Sequence, residues 1–543
     1  MLLSDFIASG IIMTTSPAAE NDLISAFLEA IRTRQLGRAA DLHLQMGRQA
    51  ESDAALRPWQ RYFQGILANE RDHDLAAAER IFQDALDDTP PPEPDLAARL
   101  CIALGLTYRR QGRLAECIAA CERSLPLYAR LDDAIGQAKA LKQIVVAYVA
   151  GYDQAIFGGE VLPTALAHSQ RALELLAAGP QNAETRWLAG TLWNEIGSLH
   201  RNLGDAAQAI AAYQRYLTYS EAADYRQGIG LAAGNLGEVC LNQGPAGWPA
   251  ARDAFVRALA CARELHDRIH ELESLVNLAY LDQQQGALDG AMARYDEAIA
   301  VISALRAGIS SETGRAGFFA TTTETFANAV LAATAGHRPE HAFDLAEQAR
   351  ARSFLDLLSG EPDGLYQRIA AETLPLGQVQ IALQDGELLL AYFTTGLLEI
   401  SPGRERRQGL PRHRFPPGRT LLFAVTRGGL RVHDLGVSPN DLRPARLAAA
   451  VERHFLDERL RRSLYDRLLG PVADLLANCH RLYLTPHGPL HYVPFQALVA
   501  PDGETLLCAA GPELVFGPSA SVLFGRPASR PGSLPFNAPC LAV

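Results

Sequence analysis

The chain has 543 residues, enough for three or four domains or for one long repeat array. Lys+Arg is 50 against Asp+Glu 61, a formal charge of −11 with no basic half, so direct nucleic-acid binding, which needs a concentrated positive face, is not expected. Hydrophobic residues at 48% with charged residues at 20% exclude wholesale disorder, and eight scattered cysteines exclude a disulfide-stapled secreted module.

At the N-terminus, Met1-Leu2-Leu3-Ser4-Asp5 carries an acid early and the first cation is Arg32. A secretory signal needs a positive start and a longer apolar core, so none is expected. Residues 1–20 read as a leader without fixed structure, and Met13 is an alternative start, because Met1 to Ile12 adds no repeat signal. No uncharged apolar run reaches the roughly 20 residues that span a bilayer, so a cytoplasmic protein without a membrane partner is expected. Only Lys139 and Lys142 are lysines; a GC-rich coding bias accounts for the arginine excess.

Residues 21–360 repeat themselves. Trp193-Asn194-Glu195-Ile196-Gly197 is followed by His200, Gly204, Ala209, Tyr213 and Tyr216. The spacing returns from Leu236-Gly237 to Phe255 and Ala258, from Leu278-Ala279 to Tyr295 and Ala298, and upstream from Leu104-Gly105 to Cys121 and Ser124. A weaker copy starts at Gly65, another anchor is Ala147, and the period is about 40 residues. Small residues at positions such as Gly197 and Ala209 let two antiparallel helices approach, and bulky ones at Trp193, Ile196 and Tyr213 fill the space left. Glycines at 112, 204 and 286 permit the left-handed turn between the helices. Cys117 and Cys121 occupy packing slots of a second helix, so core packing is expected there rather than metal binding. The stretch Gly151 to Pro163 reads as a loop insertion, and helix pairs at about Asp22 to Met46 and Phe318 to Leu358 cap the stack. The pattern resembles the tetratricopeptide repeat, which implies an α-solenoid of seven or eight helical hairpins.

The stripe of each first helix turned away from the packing positions is expected to line a groove. It carries Asn235 and Asn277, then Asn242 and Gln284 seven residues on, with Asn202 and Arg110 in other repeats. Amides donate to and accept from peptide backbone, so this ladder suits a bound peptide or protein; a merely solvated polar face is the alternative.

Past Leu358 the pattern changes. Residues 361–378 read as a linker after the breaker run Ser359-Gly360-Glu361-Pro362-Asp363-Gly364. Strands are expected at Glu387 to Phe393, Thr420 to Val425, Gly429 to Leu435 and Arg481 to Thr485, with a helical stretch at about Pro439 to Leu468, which implies an α/β layered sheet. The Pro/Gly/Arg-rich insertion between Gly396 and Arg419 reads as a solvated loop, with an anionic-ligand patch as the alternative.

Several blocks carry a second resemblance. The stretch from Ala342 to Leu358 looks like a helix joining tetratricopeptide repeats to a CHAT domain, of the caspase-like clan of cysteine peptidases. The likeness continues in Leu464-Tyr465-Asp466-Arg467-Leu468-Leu469-Gly470-Pro471, is strongest from Arg481 to Leu498, and ends with Gly517-Pro518-Ser519-Ala520-Ser521-Val522-Leu523. It implies that residues 379–543 are the N-terminal portion of a caspase-like CHAT domain.

Peptide-cleaving members of that family set a His at one strand end beside a Cys at the next, the His generating the thiolate that attacks the scissile carbonyl. The resemblance places both downstream of the Pro-Ser-Ala-Ser block. Leu541-Ala542-Val543 looks like the opening strand of that second half, so a truncated frame is expected and no catalytic residue is assigned. His487-Gly488 imitates the catalytic pair inside a structural turn; Cys508 reads as buried and Cys540 lacks a strand end. No metal-ligand cluster, phosphate loop or cofactor motif stands out. The expected function is protein or peptide binding by the repeats, attached to an incomplete peptidase domain that is inactive as given. The alternative is a non-catalytic scaffold with an α/β docking module.

Overall fold

In a computed structural model, the described residues are 22–33, 35–53, 56–88, 91–154, 156–307, 312–358, 373–397, 416–442, 458–501, 503 and 511–525, the side chains of 32, 52, 307, 312–321 and 351–358 excepted. They form two compact units divided at His270/Glu271. Cys508, Cys540, the end of the chain and most of the Arg-rich insertion lie outside the described residues.

The first unit is a tandem of helical hairpins: α1 Asp22–Arg32 with α2 Leu36–Ser52, α3 Arg57–Glu70 with α4 Leu75–Leu86, α5 Pro94–Arg110 with α6 Leu114–Arg130. There follow α7 Ala134–Asp153 with α8 Val161–Ala178, α9 Ala183–Asn202 with α10 Ala206–Ala222, and α11 Arg226–Asn242 with α12 Trp248–Glu264. Each anchor glycine lies where the hairpin closes. A Cβ on Gly65 would meet Phe82 at 2.3 Å, on Gly105 the Cys121 sulfur at 2.6 Å, on Gly197 Tyr213 at 2.5 Å and on Gly237 Phe255 at 2.5 Å. Cys117 and Cys121 are both buried, as packing residues should be. The turn glycines Gly112, Gly204 and Gly244 have φ of 77°, 81° and 77°. Between hairpins the left-handed position falls instead to Asp132, Asp224 and His266. The expected loop after Gly151 is shorter than the sequence suggests: α7 continues to Asp153, and Phe157 folds back to where a Gly151 Cβ would stand, 2.1 Å away. The core near α1 to α7 is aromatic, with the Phe27 and Phe63 rings stacked at 3.6 Å.

The second unit contains α13 Arg268–Gln284 for most of its length, α14 Leu288–Ala307, α15 Glu312–Ala335, α16 Pro339–Leu358, the short α17 Leu376–Ala382, and a five-stranded sheet. The strands are β1 Glu387–Thr394, β2 Thr420–Thr426, β3 Gly429–Asp434, β4 Arg481–Thr485 and β5 Glu513–Phe516, in the order β3-β2-β1-β4-β5. β1 is antiparallel to β2 (Leu390↔Ala424) and parallel to β4 (Leu390↔Leu484); β4 and β5 are parallel. β1 is buried at all eight positions, as a central strand covered on both faces must be. On one face Leu388, Leu390 and Tyr392 pack with Leu482, Leu484, Phe495 and residues of α18 Glu458–Leu468. Toward the other, Phe343 of α16 meets Phe423 of β2 edge-on at 5.9 Å. The sheet is therefore layered. Four strands lie where expected; β5, followed by the short helix α19 Ala520–Phe524, is additional. Of the long helical stretch expected from Pro439, residues 443–457 lie outside the described residues.

Candidate functional site

Polar side chains on the first helices of successive hairpins reach one another. Arg110 of α5 donates to the Asn69 carbonyl at 3.0 Å and pairs with Glu70 of α3 at 2.5 Å, while the Asn69 amide donates to the Thr107 hydroxyl at 2.9 Å. Asn202 of α9 donates to Asp153 of α7 at 2.9 Å. Asn235 of α11 donates to the Asn194 amide oxygen of α9 at 2.8 Å, and Arg201 pairs with Glu238 at 3.3 Å. The six residues singled out from the sequence therefore differ in setting. Arg110, Asn202 and Asn235 are partly buried bridges; Asn242 and Gln284 are exposed at the last residues of their helices; Asn277 is 3% exposed, with its amide oxygen buried and unpartnered.

Around these bridges the charges are tuned by burial. Desolvation raises the Glu195 carboxyl above the usual range, opposed by Lys142 and by the Asn194 amide. Asp153 is raised for the same reason, opposed by Arg201 and Asn202. Both lysines lie on α7: Lys139 is paired with Glu184 at 2.6 Å, and Lys142 sits 4.9 Å from the Trp187 ring centroid. Burial lowers the Lys139 ammonium despite its partner. Sequence reasoning missed Asn194, Arg201 and Glu238. Gly197 and Gly237 are equivalent anchors, so the counterpart of Asn235 is Glu195, yet its partner is Asn194, one residue earlier. Repeat equivalence alone does not give that offset.

Clefts also open between second helices. One of about 390 Å³ is lined by His43, Leu44, Gln64 and Arg71; another of about 410 Å³ by Gln83, Asp84, Tyr108, Glu116 and Arg123.

In the sheet, the His487 ring stacks on Phe393 at 4.7 Å, and its Nδ1 accepts the Thr394 backbone N–H at 3.0 Å. Burial, aided by the Arg350 charge, pulls this imidazole down to about 3, so it is neutral. The Cys479 thiol donates to the Arg481 carbonyl at 3.0 Å, and burial pushes it up to about 11. Cys479 precedes β4 and His487 follows it, so the five extended residues of that strand, about 17 Å, part them. They cannot act as a nucleophile and base. Among the described residues, no cluster of three or more His, Cys, Asp or Glu is placed to hold a metal, and no helix is long and apolar enough to cross a membrane.

Fold and polar bridging together define a helical-repeat protein carrying a mixed α/β sheet. Residues 98–129 and 190–222 match the tetratricopeptide repeat, and residues 458–539 match the CHAT domain; the chain carries both. Similar solved structures include the apo form of RapI (11% identity, 67% of this chain and 95% of that one, TM-score 0.43). Another is the apo form of the quorum sensor NprR from B. thuringiensis (13%, 65% and 97%, 0.43). A signal-transduction ATPase with a tetratricopeptide repeat sensor from Pyrococcus horikoshii is also similar (10%, 66% and 53%, 0.47). No curated protein matches the chain.

Proposed function

We propose that the chain is a protein-binding module whose repeats capture an extended peptide or protein segment on the polar stripe of the first helices, beside a CHAT region of caspase-like cysteine-peptidase kind. The observation that carries this reading is the row of side-chain amides and charges on successive first helices, in particular Asn194 with Asn235 and Asn202 with Asp153. An amide satisfied by another amide can exchange that partner for peptide backbone at little net loss, because the bond made resembles the bond broken. Arg110, Asn202, Asn235, Asn242, Asn277 and Gln284 are the proposed contacts. For catalysis, the neutral His487 and the protonated Cys479 at opposite ends of β4 favour a non-catalytic role for the described sheet.

The test is selection of binders from a displayed library of random peptides with the full chain, followed by measurement of their Kd. Asn235→Ala combined with Asn242→Ala, the exposed amide of the same helix, is expected to raise Kd at least tenfold with little change in Tm. An unchanged Kd, or a library that yields no binder, overturns the reading.

A further inference from the structure

The last long helix is fastened to the sheet by charge. Asp344, Glu347 and Arg350 lie three residues apart on α16 and so share one stripe. Glu347 and Arg350 are among the most deeply buried charges of the described residues, with side chains 0% and 1% exposed and a separation of 2.5 Å. Each also reaches a different part of the second unit. Arg350 donates to the Tyr392 carbonyl of β1 at 2.6 Å, one residue beyond the last β1–β4 pair, Ala391↔Thr485. The second Glu347 oxygen accepts from the Ser521 N–H at 3.0 Å and from its hydroxyl at 3.2 Å, in the first turn of α19. Ser521 in turn accepts the Leu374 N–H at 2.9 Å, and Asp344 accepts the Leu376 N–H at 2.8 Å. Two residues along β1 from Tyr392, Thr394 is held by His487 through its N–H and returns its own hydroxyl to the His487 carbonyl at 3.3 Å.

A buried ion pair adds little net stability over an apolar pair of the same size, because desolvating two charges offsets their attraction. What it does impose is register. Sliding α16 by one turn, or rotating it by one residue, would strand both charges away from water. An apolar helix face would pay far less for the same slip.

We propose that Glu347 and Arg350 are positioning residues that slave the carboxyl ends of β1 and β4, and the N-terminus of α19, to the seat of α16. The pair converts any displacement of this helix into a rearrangement of those strand ends. It is a conformational device independent of whether the repeats bind peptide.

The experiment is hydrogen exchange by mass spectrometry on the full chain. Arg350→Met is expected to lower Tm and to speed exchange at least tenfold in segments 391–396, 485–492 and 519–524. The double variant Glu347→Leu/Arg350→Met, with both charges gone, is expected to regain Tm while exchange in those segments stays at least tenfold faster than wild type. Wild-type protection in the double variant would show that packing alone seats the helix and would overturn the proposal. Should the double variant not refold, Arg350→Lys decides by the same readout. Its ammonium cannot span both acceptors as the guanidinium fork does, so faster exchange at 391–396 supports the proposal and wild-type exchange overturns it.

Discussion

His487 stands just past the end of β4, with its ring against Phe393 and its Nδ1 holding a backbone N–H of the neighbouring strand. The sequence presents it as the leading half of a His-Gly pair, and nothing local distinguishes a catalytic imidazole from a structural one. Burial beside Arg350 makes the difference, and that depends on a residue 137 positions upstream. The consequence is a pH dependence with a definite sign. The imidazole is pulled from 6.5 to about 3 in the folded chain, so the unfolded chain binds the proton more readily. Its contribution is fully present above pH 6.5 and is lost as pH falls from there toward 3, by at most about 1.4 kcal/mol per pH unit. His487→Asn keeps an acceptor for the Thr394 N–H but cannot titrate. Pulse-proteolysis midpoints in urea at pH 7.5 and pH 5 are expected to fall less for this variant than for wild type in the second unit; an equal fall would mean that His487 is not the titrating group.

At the scale of helices, the sequence was most readable where one residue decides a crossing. Gly197, Gly237 and their equivalents could be assigned because the bulky partner recurs at a fixed distance, and Tyr213 and Phe255 do fill the space each glycine leaves. α11 provides its own control. A side chain at Gly237 runs into Phe255, whereas at Gly234, three residues earlier, a Cβ meets nothing within 4 Å. Gly237→Val is expected to destabilise by about 1–3 kcal/mol through overpacking. Gly234→Ala is expected to stabilise by about 0.5–1 kcal/mol through helix propensity. Urea midpoints of the two variants must move in opposite directions; movement in the same direction would refute the close-approach account of the anchors. Less was legible where an element's role depends on its neighbours. β5 is four residues between Pro512 and Gly517, too short for a period-2 pattern, and it becomes a strand because β4 offers it an edge. The amide stripe follows from the repeat spacing, but whether an amide is exposed, bridged or buried depends on how far one hairpin is rotated past the next. Asn235, Asn242 and Asn277 show all three outcomes.

For the whole molecule, the distribution of reporters makes the two units separately measurable. All four tryptophans, Trp59, Trp187, Trp193 and Trp248, belong to the first unit, while Cys479, the one partly exposed cysteine among the described residues, belongs to the second. Each unit also has a core of its own: an aromatic helical one around Phe27, Phe63 and Phe82, and one built on β1, β4 and α18. Units with separate cores open with separate free energies, and helical repeats lose cooperativity with distance from a perturbation. Removing one partner of the buried Glu347–Arg350 pair leaves a charge stranded out of water, a loss of about 3–5 kcal/mol where it is felt. At about 2 kcal/mol per molar urea, that is a midpoint shift of about 2 M. Arg350→Met is therefore expected to bring forward the labelling of the Cys479 thiol by about this amount, with the tryptophan fluorescence transition held within about 0.3 M of wild type. Gly237→Val is expected to do the reverse, moving the fluorescence transition and sparing the thiol. If either substitution shifts both transitions equally, the units unfold as one body and the two cores are not energetically separate.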